Sequence, residues 1–138
     1  MNISQNGIDF IRANEGFSAT VYDDNGHPCI GYGCDLTSSQ SYPNGITEAE
    51  ATQLLVERVQ PILSVIAEVF PAANQNQVDA LCDFGYNLGV GALQTMMSHG
   101  IAEIPHQIVR WDFNQGKPDP ALLSRRVKEV NLFLTPVA

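Results

Sequence analysis

Apolar residues near the amino terminus first recur at helical spacing and then give way to a β-type pattern. Ile8 and Ile11 lie on one face of residues 4–14, which predicts a first helix there. Residues 17–35 are rich in β-forming side chains, and they contain Asn25-Gly26, a dipeptide typical of hairpin turns. The pattern therefore predicts a helix followed by a small β-element.

The rest of the chain has helical periodicity almost throughout. Thr47 and Glu50 form a capping-box signature, and apolar residues follow at helical spacing until Pro61, where we expect the chain to restart. Asp119-Pro120 is typical of a helix start and predicts a last helix. Further apolar stripes predict helices within residues 62–70, 78–88, 91–99 and 105–111. This order of elements predicts an α+β fold, with a small N-terminal β-hairpin lobe and a predominantly helical lobe.

Composition narrows the class of protein. The chain has 138 residues, of which 44% are apolar and 16% are charged, so we expect one domain over residues 1–138 with its β-lobe at about 16–36. The net charge of −8 argues against a nucleic-acid partner, because phosphate binding needs clustered lysines and arginines. No apolar run is long enough to span a bilayer, so we expect no membrane insertion, and we expect a monomer.

Neither the cysteines nor the amino terminus indicates a disulfide-rich, zinc-binding or signal-bearing protein. The three cysteines suggest no disulfide framework, and no cysteine or histidine pair has the spacing of a zinc site, so we expect no metal and no cofactor. Residues 1–7 lack the basic start and apolar core of a secretory signal. We therefore expect synthesis in the cytoplasm, with a separate route to any substrate outside it.

Two carboxylates flank the change from helix to β-element. Glu15 comes at the end of the first helix, where the helix macrodipole disfavours a negative charge, and Asp24 directly precedes the hairpin turn. Carboxylates on opposite walls of a cleft suit glycoside hydrolysis. One acid protonates the leaving oxygen, and the other carboxylate acts on water or on the sugar carbon.

The stretch around these carboxylates resembles the phage-type lysozymes, endolysins that cut bacterial peptidoglycan. Their pattern is Glu-Gly, then Tyr-x-Asp, then Thr-Ile-Gly-Tyr-Gly-His. Glu15-Gly16, Tyr22-Asp23-Asp24 and Ile30-Gly31-Tyr32-Gly33 match it. Residues 83–93 and 122–134 resemble the family's later blocks. The resemblance implies a lysozyme-like fold with a cleft between the β-lobe and the helical lobe.

The resemblance also implies an activity and a set of site residues. The enzyme would be a muramidase that hydrolyses the β-1,4 bond between N-acetylmuramic acid and N-acetylglucosamine in bacterial peptidoglycan, reached after release or injection. Glu15 would be the general acid and Asp24 would orient the attacking water. An arginine of the last helix, Arg125 or Arg126, would hold Glu15. The expected supporting residues are Tyr22, Gly31 and Asn87.

Two cysteines depart from the family pattern. Cys29 stands where the family has its third active-site residue, a threonine, and Cys34 stands where a histidine closes the motif. The gap from Asp24 to Cys29 is one residue shorter than the family's; Asp23 would restore it but would break the Tyr-x-Asp spacing, so Asp24 is preferred.

Three roles stay open for Cys29. It is a working substitute for the threonine, a plain apolar residue of an inactive copy, or a redox-sensitive or covalent residue. Together with the acidic charge, these departures favour an alternative function, a catalytically weak or inactive lysozyme-like module that binds glycan or a protein partner. A cysteine-dependent hydrolase that pairs Cys29 with a histidine is a third hypothesis.

Overall fold

The computed structural model describes residues 1–138 and confirms the expected α+β architecture, with a small sheet near the amino terminus and helices in most of the remaining chain. The elements in chain order are α1 (Gln5–Glu15), β1 (Ser18–Asp24), β2 (His27–Gly31), β3 (Cys34–Asp35), α2 (Glu48–Val69), α3 (Gln75–Leu88), α4 (Val90–Met97), a short 3-10 helix (Ile101–Glu103), α5 (Ile104–Ile108), β4 (Phe113–Asn114), β5 (Lys117–Pro118) and α6 (Pro120–Leu134). None of the helices is long and apolar enough to cross a membrane.

Strands β1, β2 and β3 form an antiparallel sheet in that order. The β1–β2 turn is Asn25-Gly26, and both residues have the positive φ angles (51° and 87°) that favour such a dipeptide. Tyr22 is opposite Cys29, and Cys29 is opposite Asp35. Because directly opposed residues project from the same face of a sheet, these three side chains form one row across it.

Capping interactions begin the main helices where the sequence predicts them. Thr47 and Glu50 make the reciprocal hydrogen bonds of a capping box at the start of α2. The Asp119 side chain accepts from two backbone N–H groups at the start of α6, and Pro120 occupies the first helical position. These local interactions orient the two helices that supply Arg58 and Arg125 to the site described below.

Two features of the helical region differ from the sequence prediction. Helix α2 continues through Pro61, where we expected a restart. Val59, Ile62 and Leu63 are all buried, so one apolar face runs past the proline, and its packing outweighs the hydrogen bond that proline cannot donate. The β4–β5 hairpin was not expected, because its two-residue strands are exposed and carry no alternating pattern.

Helix α3 lies at the centre of the fold, where it packs against α1, α2, α4 and α6. It carries two fully buried carboxylates, Asp79 and Asp83, and each needs polar partners because burying an unpaired charge is costly. Asp79 accepts hydrogen bonds from Ser4 and Gln75. Asp83 lies one turn further along and faces the junction of α1 and α6.

Candidate active site

Glu15 is the last residue of α1 and lies at the edge of an open pocket. The helix ends there because Gly16 has a positive φ of 73°, and the chain then turns into β1. The pocket is lined by Glu15, Gly16, Phe17, Ser18, Tyr22 and Gly31. Three residues predicted for the site, Glu15, Tyr22 and Gly31, thus meet at one concave surface.

Arg125 is the arginine that pairs with Glu15. Its Nη1 lies 2.9 Å from Glu15 Oε1, and the two side chains are 11% and 18% exposed. The same guanidinium donates two hydrogen bonds to Asp83, from Nε to Oδ2 at 2.9 Å and from Nη2 to Oδ1 at 2.8 Å. Asn14 Nδ2 donates to Asp83 Oδ1 at 3.3 Å. One arginine therefore joins α6 to both α1 and α3.

The electrostatic surroundings raise the pKa of Glu15 above its ordinary value. The largest cause is burial, which disfavours the charged carboxylate. Arg125 opposes this effect through charge and hydrogen bonding, whereas the negative charge of Asp83 adds to it. The carboxyl group therefore holds its proton to a higher pH than a free glutamic acid does.

The β-lobe approaches Glu15 through Gly33. A Cβ atom at this position would lie 2.7 Å from Glu15 Oε2, so any side chain here would displace the carboxylate. Arg58 reaches across from α2, and its Nη1 donates to the Gly33 carbonyl at 3.0 Å. The Arg58 guanidinium also lies 4.7 Å from the centre of the Tyr86 ring. Arg58 thereby ties the loop after β2 to the helical lobe.

Asp24 and Asp23 occupy different positions at the hairpin turn. Asp23 Oδ2 accepts a hydrogen bond from the backbone N–H of Gly26 at 3.2 Å, so its carboxylate stabilises the turn. Asp24 is exposed, and its contact is a 3.4 Å hydrogen bond from Asn25 Nδ2. Because alternate strand residues share a face, Asp24 projects on the side of Tyr22, which borders the Glu15 pocket. Asp24, rather than Asp23, is thus the aspartate of the turn that projects on the pocket side of the sheet.

Cys29 is buried and its thiol already has a partner. Its Sγ lies 3.1 Å from Asp35 Oδ1 and 3.6 Å from the His27 carbonyl oxygen, and the thiol donates to them. Burial, together with the hydrogen bond to Asp35, raises the pKa of Cys29 to about 12. The thiol is therefore protonated at neutral pH, which disfavours the redox-sensitive or covalent role because a thiolate is the reactive species.

Cys34, which stands at the histidine position of the motif, is also buried. Its Sγ lies 3.1 Å from the Tyr86 hydroxyl, and that hydroxyl donates to the Tyr32 carbonyl at 2.5 Å. Cys34 therefore belongs to the contact between the hairpin and α3.

Arg126 and Asn87 contact each other and form no hydrogen bond with Glu15. Arg126 is fully buried, and its Nη2 donates to Asn87 Oδ1 and to Glu129 Oε1, both at 2.7 Å. Glu129 Oε2 and Arg126 Nε have no hydrogen-bond partner. Burial raises the pKa of Glu129 to about 10, and the nearby Asp83 adds to this shift. Neither Arg125 nor Arg126 is thus a solvated surface charge.

Three residues that the sequence analysis did not single out contribute to this region: Asp35, Arg58 and Asp83. Arg58 and Asp83 could have been noticed, because each is a charged residue at helical spacing from buried apolar ones. Asp35 carries no such signal. Within the structure, no group of three or more histidine, cysteine, aspartate or glutamate side chains is arranged to hold a metal ion.

Comparison of the sequence finds one family and several endolysins. A model of the phage lysozyme family matches residues 12–129. The endolysin of Bacillus phage B103 is 33% identical over 146 residues, which cover 98% of this chain and 55% of that protein. The endolysin of Salmonella phage P22 is 32% identical, with 98% and 99% covered. The chain thus spans about half the length of the Bacillus phage relatives and nearly all of the P22 protein.

Solved structures agree with this result. The muramidase domain of SpmX from Asticaccaulis excentricus superposes with a TM-score of 0.82 at 27% identity, with 98% of this chain and 99% of that chain covered. The endolysin from Escherichia coli O157:H7 phage FAHEc1 gives a TM-score of 0.83 at 27% identity, with 97% and 94% covered. A mutant of P22 lysozyme gives 0.80 at 29% identity, with 98% and 99% covered.

Proposed function

The chain belongs to the phage lysozyme family, and from this premise we propose that it is a muramidase that acts on bacterial peptidoglycan. The bond cleaved is the β-1,4 linkage between N-acetylmuramic acid and N-acetylglucosamine. The observation that carries the proposal is the environment of the Glu15 side chain. It is a largely buried carboxyl group with a raised pKa, it borders a pocket, and an arginine fixes it at 2.9 Å.

Glu15 is the proposed general acid. A glycosidic oxygen is a poor leaving group until it receives a proton, and the donor must keep that proton near the working pH. Burial of Glu15 favours the protonated form, and the ion-pair partner Arg125 restricts the side chain to one orientation. Because Gly33 has no side chain, the β-lobe lies next to the Glu15 carboxyl group without a steric clash.

Asp24 is the proposed second carboxylate, which orients the attacking water. Its exposure keeps it accessible to solvent, and its strand position places it on the face of the sheet that borders the pocket. Cys29 lies in the next cross-strand row and takes the place of the threonine. A protonated thiol is a weaker hydrogen-bond partner for water than a hydroxyl, so Cys29 contributes less to orienting the water than threonine would.

One observation favours a second candidate, a catalytically weak module that binds glycan. The Cys29 thiol donates its proton to Asp35, and its sulfur is a weak acceptor, so it offers little to a water. The pocket at Glu15 would still accept a sugar in such a protein. The two candidates share a ligand and differ in whether the glycosidic bond breaks.

Digestion of purified peptidoglycan distinguishes them. Wild type and Glu15→Gln are incubated with the same sacculi, the products are reduced, and mass spectrometry identifies the new reducing ends. We expect muramic acid ends from wild type and none above background from the glutamine variant. Ends of N-acetylglucosamine would refute the proposed bond. Sedimentation with the sacculi in the absence of cleavage would instead establish the binding module.

A further inference from the structure

A single guanidinium lies between two carboxylates at the acid wall of the pocket. Arg125 makes one contact with Glu15, at 2.9 Å, and two hydrogen bonds with Asp83, at 2.8 and 2.9 Å. Asp83 is fully buried, so its carboxylate has no water with which to share its charge. The bidentate geometry is the stronger of the two interactions, because parallel N–H···O bonds match the shape of the guanidinium. Arg125 is therefore bound more firmly to Asp83 than to Glu15.

Because Arg125 shares its positive charge between Asp83 and Glu15, it stabilises the ionised form of Glu15 less than an arginine with a single partner would. An arginine paired with a carboxylate alone stabilises the ionised form and typically lowers its pKa by one unit or more. An acid so shifted would lose its proton well below neutral pH. Here the pKa of Glu15 is raised instead, because burial outweighs Arg125 and the negative charge of Asp83 works in the same direction as burial.

We propose that Asp83 is a positioning residue that holds Arg125 between α3 and α6, and that by taking up part of its charge it leaves Glu15 able to keep the proton used in the reaction. This inference rests on the proposed function for its consequence in catalysis. The arrangement itself concerns only the charges around Glu15, so it can be tested without any substrate.

The charged and titratable groups around Glu15 and Asp83 come from several elements of the fold. Glu15 is faced by Arg125 from α6, by Asp83 and the Tyr86 hydroxyl from α3, by Arg58 from α2 and by the Tyr22 hydroxyl from β1. Arg58 favours the ionised form of Glu15, as Arg125 does.

Asp83 is faced by Arg125, by the Asn14 amide and by Glu129. Burial and the adjacent Asp83 raise the pKa of Glu129, whereas its ion pair with Arg126 at 2.7 Å lowers it. Arg126 is thus the cation nearest to Glu129, and Arg125 is the cation that pairs with Asp83, at 2.8 Å.

The direct test is a titration of the Glu15 side-chain carboxyl carbon by NMR in wild type and in Asp83→Asn. The signal is assigned by its absence from Glu15→Gln. In Asp83→Asn, Arg125 has Glu15 as its anionic partner, so we expect the pKa of Glu15 to fall by about one pH unit. The rate of peptidoglycan cleavage should show the same change, with its alkaline limb displaced to lower pH, because the general acid works only below its pKa.

Asp79→Asn is the matched control. Asp79 is a buried aspartate one turn earlier on α3, and its partners are Ser4 and Gln75 rather than Arg125. Its loss should lower stability without moving the Glu15 titration. Asp83→Ser provides a second variant that also removes the negative charge, and the same downward shift is expected from it.

The outcomes separate this inference from the proposed function. A Glu15 titration that is unchanged or raised in the folded Asp83 variants, or one equally lowered by Asp79→Asn, overturns the role of Asp83. Wild type that cleaves no peptidoglycan refutes the muramidase, yet the NMR titration still shows whether Asp83 controls Glu15. A downward shift in the Asp83 variants alone supports the proposal.

Discussion

The two walls of the pocket are built in different ways. On the helical wall, Glu15 is held by Arg125, which is itself held by the buried Asp83, so three helices determine the position of one carboxyl group. On the sheet wall, Asp24 is exposed at the end of a hairpin and makes one long contact with its neighbour Asn25. Glu15 is thus positioned by tertiary packing, and Asp24 by a local turn.

The two walls should therefore tolerate substitutions to different degrees. A substitution on the helical wall leaves a buried charge without a partner, whereas a substitution on the sheet wall changes a side chain that water can reach. Cys29 is an exception to this division, because it departs from the family motif and is nevertheless buried. Cys29 lies on the sheet wall, and Asp35 supplies it with a hydrogen-bond partner across the strands.

The largest effect is expected from Glu15→Gln. A neutral amide cannot donate the proton, and loss of a general acid typically costs about 100-fold or more in rate. Release of reducing ends from purified peptidoglycan measures it, and circular dichroism checks that the fold is kept. If the glutamine variant retained wild-type activity, the assignment of the acid to the helical wall would be wrong.

Asp24→Asn should come next, with a loss of about 10-fold or more, because an amide orients a water less well than a carboxylate does. Asp23→Asn is the matched control on the same turn. We expect it to keep activity near the wild-type level, since Asp23 bonds to the Gly26 N–H and projects on the other face. The opposite ranking would transfer the role to Asp23.

Arg125→Gln tests the helical wall without removing its acid. Asp83 would be left buried without its charged partner, so we expect a loss of about 3 kcal/mol in the free energy of unfolding. The pKa of Glu15 should rise, because the charge that favours its ionised form is gone, and the alkaline limb of the rate profile should move to higher pH.

Arg110→Gln is the control for that variant, since Arg110 is exposed and makes no ion pair in the structure. Chemical denaturation and the pH dependence of cleavage give the two measurements. Equal stability of the two variants would mean that the contact between Arg125 and Asp83 contributes little to the helical wall.

The sequence predicts the local parts of this site and leaves the packed parts open. Glu15, Tyr22 and Gly31 meet at one pocket because a helix end and the hairpin after it are adjacent in the chain. The choice between Arg125 and Arg126 could not be made from the sequence. Neighbouring residues of a helix point about 100° apart, and only the packing of α6 against α3 decides which faces Glu15.

The contact between Cys29 and Asp35 could not be predicted from the sequence either. It depends on the register of β3, a strand of two residues, and a shift by one residue would turn Asp35 to the other face. No alternation of apolar and polar residues marks so short a strand. The sequence alone therefore leaves the role of Cys29 open.

The smallest effect is expected from Cys29→Thr, which restores the hydroxyl to the sheet wall. We expect activity between the wild-type level and about fivefold above it, because one additional neutral hydrogen bond contributes about 1 kcal/mol. A hydroxyl can donate to Asp35, as the thiol does, and still accept from a water. Threonine also suits a strand, so the fold should be kept.

Cys29→Ala and Asp35→Asn complete this experiment. If the hydroxyl works through its hydrogen bonds, the alanine variant should be slower than the threonine variant, and Asp35→Asn should reduce the difference between them. Initial rates on one peptidoglycan preparation, with thermal unfolding as the check on folding, make the comparison. A threonine variant that folds but is inactive would mean that the thiol has its own chemical role, and the sheet wall would then be more specialised than its exposed hairpin suggests.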